Sequence, residues 1–224
     1  MSDVISARGV EVEPEAPAEA SVILFHGLGA DGHDFEALVP ELRLPHHPAI
    51  RWVFPHAPVR AVTVNGGDRM RAWFDIFGLD RLAAVDEPGI RAALESAAAL
   101  IGREVERGVR PDHIVLAGFS QGGVVALNAG LRHPHRLAGI VALSTYLPLE
   151  EALATEAHPA NASIPVFMAH GTRDPVVSPS LGAHSRDLLL AHGYAVDWHA
   201  YPMGHELCAQ EIADVRGWLL RVLG

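Results

Sequence analysis

Six short, mostly apolar runs punctuate this chain, and they limit its fold more than any other feature. They are Val22-Ile23-Leu24-Phe25, Trp52-Val53-Phe54, Ile114 to Ala117, Ile140 to Leu143, Val166-Phe167-Met168 and Val196 to Tyr201. A strand with one wet face alternates apolar and polar residues, so a run that is apolar at successive positions must be covered on both faces. Between the runs lie segments of helical period. The clearest places Ile90, Leu94, Ala97, Ala98, Ile101 and Val105 on one stripe, behind the start signals Asp86, Glu87 and Pro88. Further helices are predicted across Val124 to Arg132, Pro179 to His192 and Glu206 to Leu223, with a shorter one over Glu36 to Leu42. Strands alternating with helices predict an α/β fold with a mostly parallel central sheet and helices on both faces. At 224 residues the chain suits a single domain around one large core.

Two segments depart from this rhythm. Residues 1–20 form a lead-in, acidic and rich in Pro and Ala, in which Val10 and Val12 fit an edge strand. Arg60 to Val85 mixes Gly66, Gly67, Trp73, Phe74 and Phe77 with charged residues and sustains neither period. A connection of that length is usually functional, and it is expected to cover the substrate; its aromatic residues could equally cap the core.

The formal charge of −10 leaves no basic surface for nucleic acid or an anionic membrane. No stretch approaches the roughly 20 apolar residues that span a bilayer, and the lead-in has no apolar signal core. With Cys208 as the only cysteine, no intrachain disulfide can form, and a cytoplasmic location is expected. His46-His47 and His133/His135 lack the neighbours of a metal site and read as solvated. A homodimer is compatible with this composition, but no segment marks the contact.

Residues 118 to 122 read Gly-Phe-Ser-Gln-Gly, directly after one apolar run and directly before a helical one. A serine raised on a sharp strand-to-helix turn needs glycines beside it, because the backbone there is strained and closely packed. This context marks Ser120 as a nucleophile for acyl transfer; the bland alternative is a helix N-cap. A serine hydroxyl needs a base to take its proton and a carboxylate to orient that base. Asp174 lies just beyond the run Val166 to Met168, and His205 follows the last strand, so both fall where strand ends should present them. Asp75, Asp187 and Asp197 are placed less well, and Asp174 could instead serve a turn before Pro175. Oxyanion donors are expected from the backbone N–H groups of Gln121 and Leu28, with Gly27, Gly29 and Gly32 letting the early loop approach a substrate.

Together, the motifs His26-Gly27-Leu28-Gly29-Ala30-Asp31-Gly32, Phe54-Pro55-His56-Ala57-Pro58, Trp73-Phe74-Asp75, Gly118 to Gly123, Gly171 to Val176 and Gly204-His205 resemble the phospholipase/carboxylesterase family, in order and over about residues 21–220. The resemblance implies an α/β-hydrolase fold, a Ser120, Asp174 and His205 triad, donors from Leu28 and Gln121, and no cofactor or metal. It also implies an apolar acyl groove beside the serine, which suits Trp73 and Phe74 as walls. The implied activity is hydrolysis of short- to medium-chain carboxylic esters, with acyl-protein thioesterase or lysophospholipase activity as the alternative. A dienelactone-hydrolase-like enzyme would use a cysteine nucleophile, whereas Cys208 falls in the predicted last helix. A non-catalytic binding module of the same fold would usually lack a triad residue, and all three are present.

Overall fold

The computed structural model describes residues 9–44, 48–78 and 84–224. Met1 to Arg8, the pair His46-His47 and residues 79–83 of the long excursion lie outside the described residues. The strands are β1 (Gly9–Val12), β2 (Ala20–Phe25), β3 (Ile50–Pro55), β4 (Val59–Val62), β5 (Asp68–Arg71), β6 (Ile114–Phe119), β7 (Gly139–Leu143), β8 (Val166–Gly171) and β9 (Val196–Tyr201). The α-helices are α1 (His33–Glu36), α2 (Val39–Leu42), α3 (Glu87–Glu106), α4 (Gln121–Arg132), α5 (Glu150–Glu156), α6 (Pro179–Ala191) and α7 (Ala209–Leu223). Seven strands make one sheet in the order β1-β3-β2-β6-β7-β8-β9. Only β1, which carries Val10 and Val12, runs antiparallel, pairing with β3 along the edge.

The unbroken apolar runs are explained by two cores. Ile23, Phe25, Leu116, Ile140, Ala142 and Met168 point to one face, where α3, α4, α5 and α6 supply Ile90, Val124, Leu153 and Leu189. Val22, Leu24, Val115, Val141 and Phe167 point to the other, against Phe35 of α1, Val39 of α2 and Trp218 of α7. Every second strand residue thus belongs to a different core, and burying each large side chain contributes roughly 1.5–3 kcal/mol. Among the described residues no helix is long and apolar enough to cross a membrane.

Element ends follow local chemistry. The Asp86 carboxylate accepts a hydrogen bond from Gly89 N–H (3.0 Å) and so caps α3, as its position predicts. The expected helix over Glu36 to Leu42 is two single turns instead, because Pro40 has no N–H to bond four residues back. The last helix begins at Ala209 rather than Glu206, which leaves Cys208 at its N-cap, half-buried, and not within it. The excursion holds a hairpin that periodicity does not reveal: β4 and β5 pair antiparallel across a turn in which Gly66 and Gly67 take φ of 68° and 87°. Four-residue strands with Arg69 and Arg71 on them are too short and too polar to read as strands.

Candidate active site

The chain winds from β2 outward to β3, then crosses back to place β6 on the other side of β2. In an open parallel sheet, such a reversal opens a crevice beyond the carboxyl ends of the strands. The Leu28 loop leaves the end of β2 and Ser120 leaves the end of β6, so these two residues flank that crevice. Asp174 and His205 leave the ends of β8 and β9 on the same rim.

Ser120 has φ 55° and ψ −120°, a conformation that costs a non-glycine residue about 1–3 kcal/mol. Neighbouring chain holds it there. Ser120 N–H donates to Leu143 O (2.9 Å), and Ser120 O accepts from Gly123 N–H (3.0 Å) and from the Thr145 hydroxyl (2.7 Å). A side chain at Gly122 would meet Phe25 O at 2.0 Å, so only glycine lets α4 sit this close to β2. Ser120 occupies the N-cap position but its side chain caps nothing, which leaves the hydroxyl free for chemistry. Among the described residues that hydroxyl makes no hydrogen bond, to His205 or to any other group.

Asp174 and His205 are brought together. His205 Nδ1–H donates to Asp174 Oδ2 at 2.7 Å, leaving Nε2 as the nitrogen able to take a proton. The other carboxylate oxygen, Oδ1, accepts from Val176 N–H (2.8 Å) and Val177 N–H (2.9 Å), so the buried carboxylate is fixed from both sides. The His205 ring lies 4.8 Å from the ring of Phe119, the residue before Ser120. His170, which motif reasoning does not single out, donates through Nε2 to Val177 O (2.9 Å) and lies 3.5 Å from Asp174 Oδ2. Burial pushes its pKa down, so it backs the carboxylate as a neutral ring. Of the lesser acids, Asp75 accepts from Thr63 N–H, the Thr63 hydroxyl and Ile76 N–H in a turn, and Asp187 pairs with Arg186. Asp197 pairs with His199 at the sheet edge.

The N–H groups of Leu28 and Gln121 donate to no protein group among the described residues, so both are free for a ligand oxygen. Gly27 lies against Phe119 and Ser120, where an added side-chain carbon would be 3.3 to 3.4 Å from them. Gly29 has φ 77°, which turns its own N–H to Arg71 O (2.9 Å) and away from the crevice. His26 fixes the start of this loop: its Nε2 accepts from Ala57 N–H (3.0 Å), so Nδ1 carries the proton and donates to Gly27 O (2.7 Å). Burial lowers its pKa, which suits a neutral ring that must both accept and donate.

A groove of about 440 Å³ runs from Ser120 and Gln121 past Leu28, Phe74, Ile76, Tyr146, Leu149 and Leu181. Phe74 lines it. Trp73 does not line it: its indole packs edge-on against Phe25, with ring centroids 5.2 Å apart.

A serine at such an elbow, a bonded imidazole and carboxylate on the same rim, and two free N–H groups beside a groove with both apolar and acidic walls can together carry out acyl transfer. The model of the family described as Phospholipase/Carboxylesterase matches residues 8–223. Acyl-protein thioesterase 1 of Cryptococcus neoformans is 37% identical over 235 residues, covering 97% of this chain and 98% of that protein. The protein of the same name from Neurospora crassa is 41% identical over 210 residues, covering 89% and 85%. Among solved structures, acyl-protein thioesterase 2 of Zea mays superposes with a TM-score of 0.85 at 31% identity, over 97% of this chain and 100% of that one. Likeness of sequence and of fold along nearly the whole length agrees with the arrangement of the rim, and the chain belongs to the phospholipase/carboxylesterase family of serine hydrolases.

Proposed function

We propose that this chain hydrolyses acyl thioesters and carboxylic esters through an acyl-enzyme on Ser120. Ser120 Oγ attacks the acyl carbonyl carbon while His205 Nε2 takes its proton, and Asp174 stabilises the imidazolium that forms. The carbonyl oxygen becomes an oxyanion bound by Leu28 N–H and Gln121 N–H, each worth about 2.7–4 kcal/mol in the transition state. The C–S or C–O bond then breaks, and the leaving group takes the proton from His205. Water attacks the acyl-enzyme with His205 again as base, releasing the acid and restoring the Ser120 hydroxyl.

The observation that carries this reading is the 2.7 Å bond between His205 and a fully buried Asp174, on the rim where the strained Ser120 opens into the groove. The sequence reading put carboxylic esters first; relatives named acyl-protein thioesterase put thioesters first. A groove of about 440 Å³ accommodates a substantial acyl chain in either case, with Leu28 and Phe74 among its walls.

Two measurements test the proposal. An organophosphonate should add one equivalent of mass to the native protein and none to Ser120→Ala, which should lose at least about 10³-fold in kcat. Turnover by the alanine variant within about tenfold of the native protein would overturn the assignment. A matched series of thioesters and oxyesters from acetyl upward should give the higher kcat/KM for the thioester at each acyl length. Faster oxyester turnover throughout would return the carboxylesterase reading to first place.

A further inference from the structure

Both oxyanion donors sit on separate pieces of chain, Leu28 in the loop after β2 and Gln121 at the head of α4, yet a single oxygen must lie within about 2.7–3.1 Å of both. Something has to set their separation. The segment Arg71 to Phe74 is hydrogen-bonded to both pieces. Toward the loop, Arg71 O accepts from Gly29 N–H (2.9 Å), and the Trp73 indole Nε1–H donates to His26 O (2.9 Å). Toward α4, Trp73 N–H donates to Gln121 Oε1 (2.8 Å), and Gln121 Nε2–H donates to Phe74 O (2.8 Å). Gln121 is 3% exposed, so its side-chain amide is spent on this segment and not on solvent. Arg71 is held in turn by its guanidinium, which donates to Ala57 O (3.0 Å), next to the N–H that fixes His26.

We propose that Arg71 to Phe74 is a strut that sets the spacing of the oxyanion hole, with Trp73 a positioning residue and the Gln121 amide its second anchor. The strut continues directly into the groove wall at Phe74 and Ile76. An acyl chain that fills the groove therefore packs against the piece of chain that holds both donors. Acyl length is then expressed in kcat and not only in KM, which is how groove binding becomes transition-state stabilisation. The inference rests on the acyl-enzyme reading above.

The test uses Trp73→Phe, which keeps an aromatic ring but removes the indole N–H, and Gln121→Glu, which keeps the acceptor for Trp73 N–H but loses the donor to Phe74 O. Each is measured with p-nitrophenyl esters from acetyl to dodecanoyl, together with the rate of Ser120 phosphonylation. Expected are a kcat roughly 10- to 100-fold lower with KM within about twofold, a slower phosphonylation in proportion, and a flattened dependence of kcat on acyl length. A raised KM at native kcat would make Trp73 a groove wall and overturn the proposal. Recovery of native kcat on cooling would equally overturn it, since that marks loss of fold. If one variant does not fold, the other carries the same test. Native protein that takes no phosphonate would refute the acyl-enzyme reading itself; native labelling rates in both variants would refute the strut alone.

Discussion

Thr145 shows how one residue can hold another in a strained backbone conformation. Its hydroxyl donates to Ser120 O at 2.7 Å while its methyl fills the notch left by Gly123, where an added carbon would lie 2.6 Å away. The bond helps hold the strained φ of 55° at Ser120 and is worth about 1 kcal/mol in stability. Thr145→Val should therefore lower kcat by about tenfold with little change in KM, whereas Thr145→Ser, which restores the hydroxyl, should return most of it. Native kcat in the valine variant would show that the elbow keeps its shape without the bond. At this scale the sequence was informative where a residue type carries its own chemistry. Ser120 between glycines, Asp174 after a strand and His205 after another could each be chosen by position. The hydrogen bonds of Trp73 and of the Gln121 side chain could not, because their partners lie 47 and 48 residues away in sequence and no local pattern joins them.

Helix α7 illustrates the same division for an element. Its apolar stripe buries Val215, Trp218, Leu219 and Leu223, yet on the same stripe Glu211 is wholly buried against Phe119, Leu24 and Leu207. Neither carboxyl oxygen has a hydrogen-bond partner among the described residues. Burial pushes its pKa up to about 8, with the Cys208 amide at the head of the helix opposing that only in part. The folded chain then holds this proton more tightly than the unfolded chain does. The contribution of Glu211 to stability is fully present below an ordinary carboxylate pKa of 4.5 and is lost as pH climbs from there toward about 8. Urea midpoints of native protein and Glu211→Gln should diverge across that window, the variant becoming more stable by a few kcal/mol at about pH 9. Parallel pH profiles would mean that the carboxyl is ionised at little cost. The period of α7 puts position 211 on the buried stripe, four residues before Val215, but whether a carboxyl there finds a partner depends on where the helix lands on the sheet. The missed hairpin of β4 and β5 has the opposite cause: its strands are half-exposed and too short for a period to register.

Across the whole molecule, the sheet separates stability from chemistry. At the rim opposite the site, near the first residues of β2 and β3, buried Glu104 accepts from the Ser21 hydroxyl (3.1 Å), Arg51 (2.9 Å) and Arg107 (3.0 Å). Arg51 also reaches Glu13, tying the lead-in to the sheet. Glu104→Leu takes away one of the two carboxylates on Arg51, leaving Glu13, and should cost about 1–3 kcal/mol in denaturant unfolding. It should leave kcat/KM per folded molecule unchanged; a matching loss of kcat/KM would show the two rims to be coupled. The class of fold was legible because apolar runs and helical periods report burial on two faces directly, and the candidate site residues could be placed on one rim because parallel strands deliver their carboxyl ends there. Tertiary structure alone decided which buried polar groups meet: His26 with Ala57, Trp73 with His26, and Gln121 with Phe74. Periodicity is a property of neighbours along the chain, whereas a hydrogen bond between distant segments depends on tenths of an ångström that only the packed whole can set.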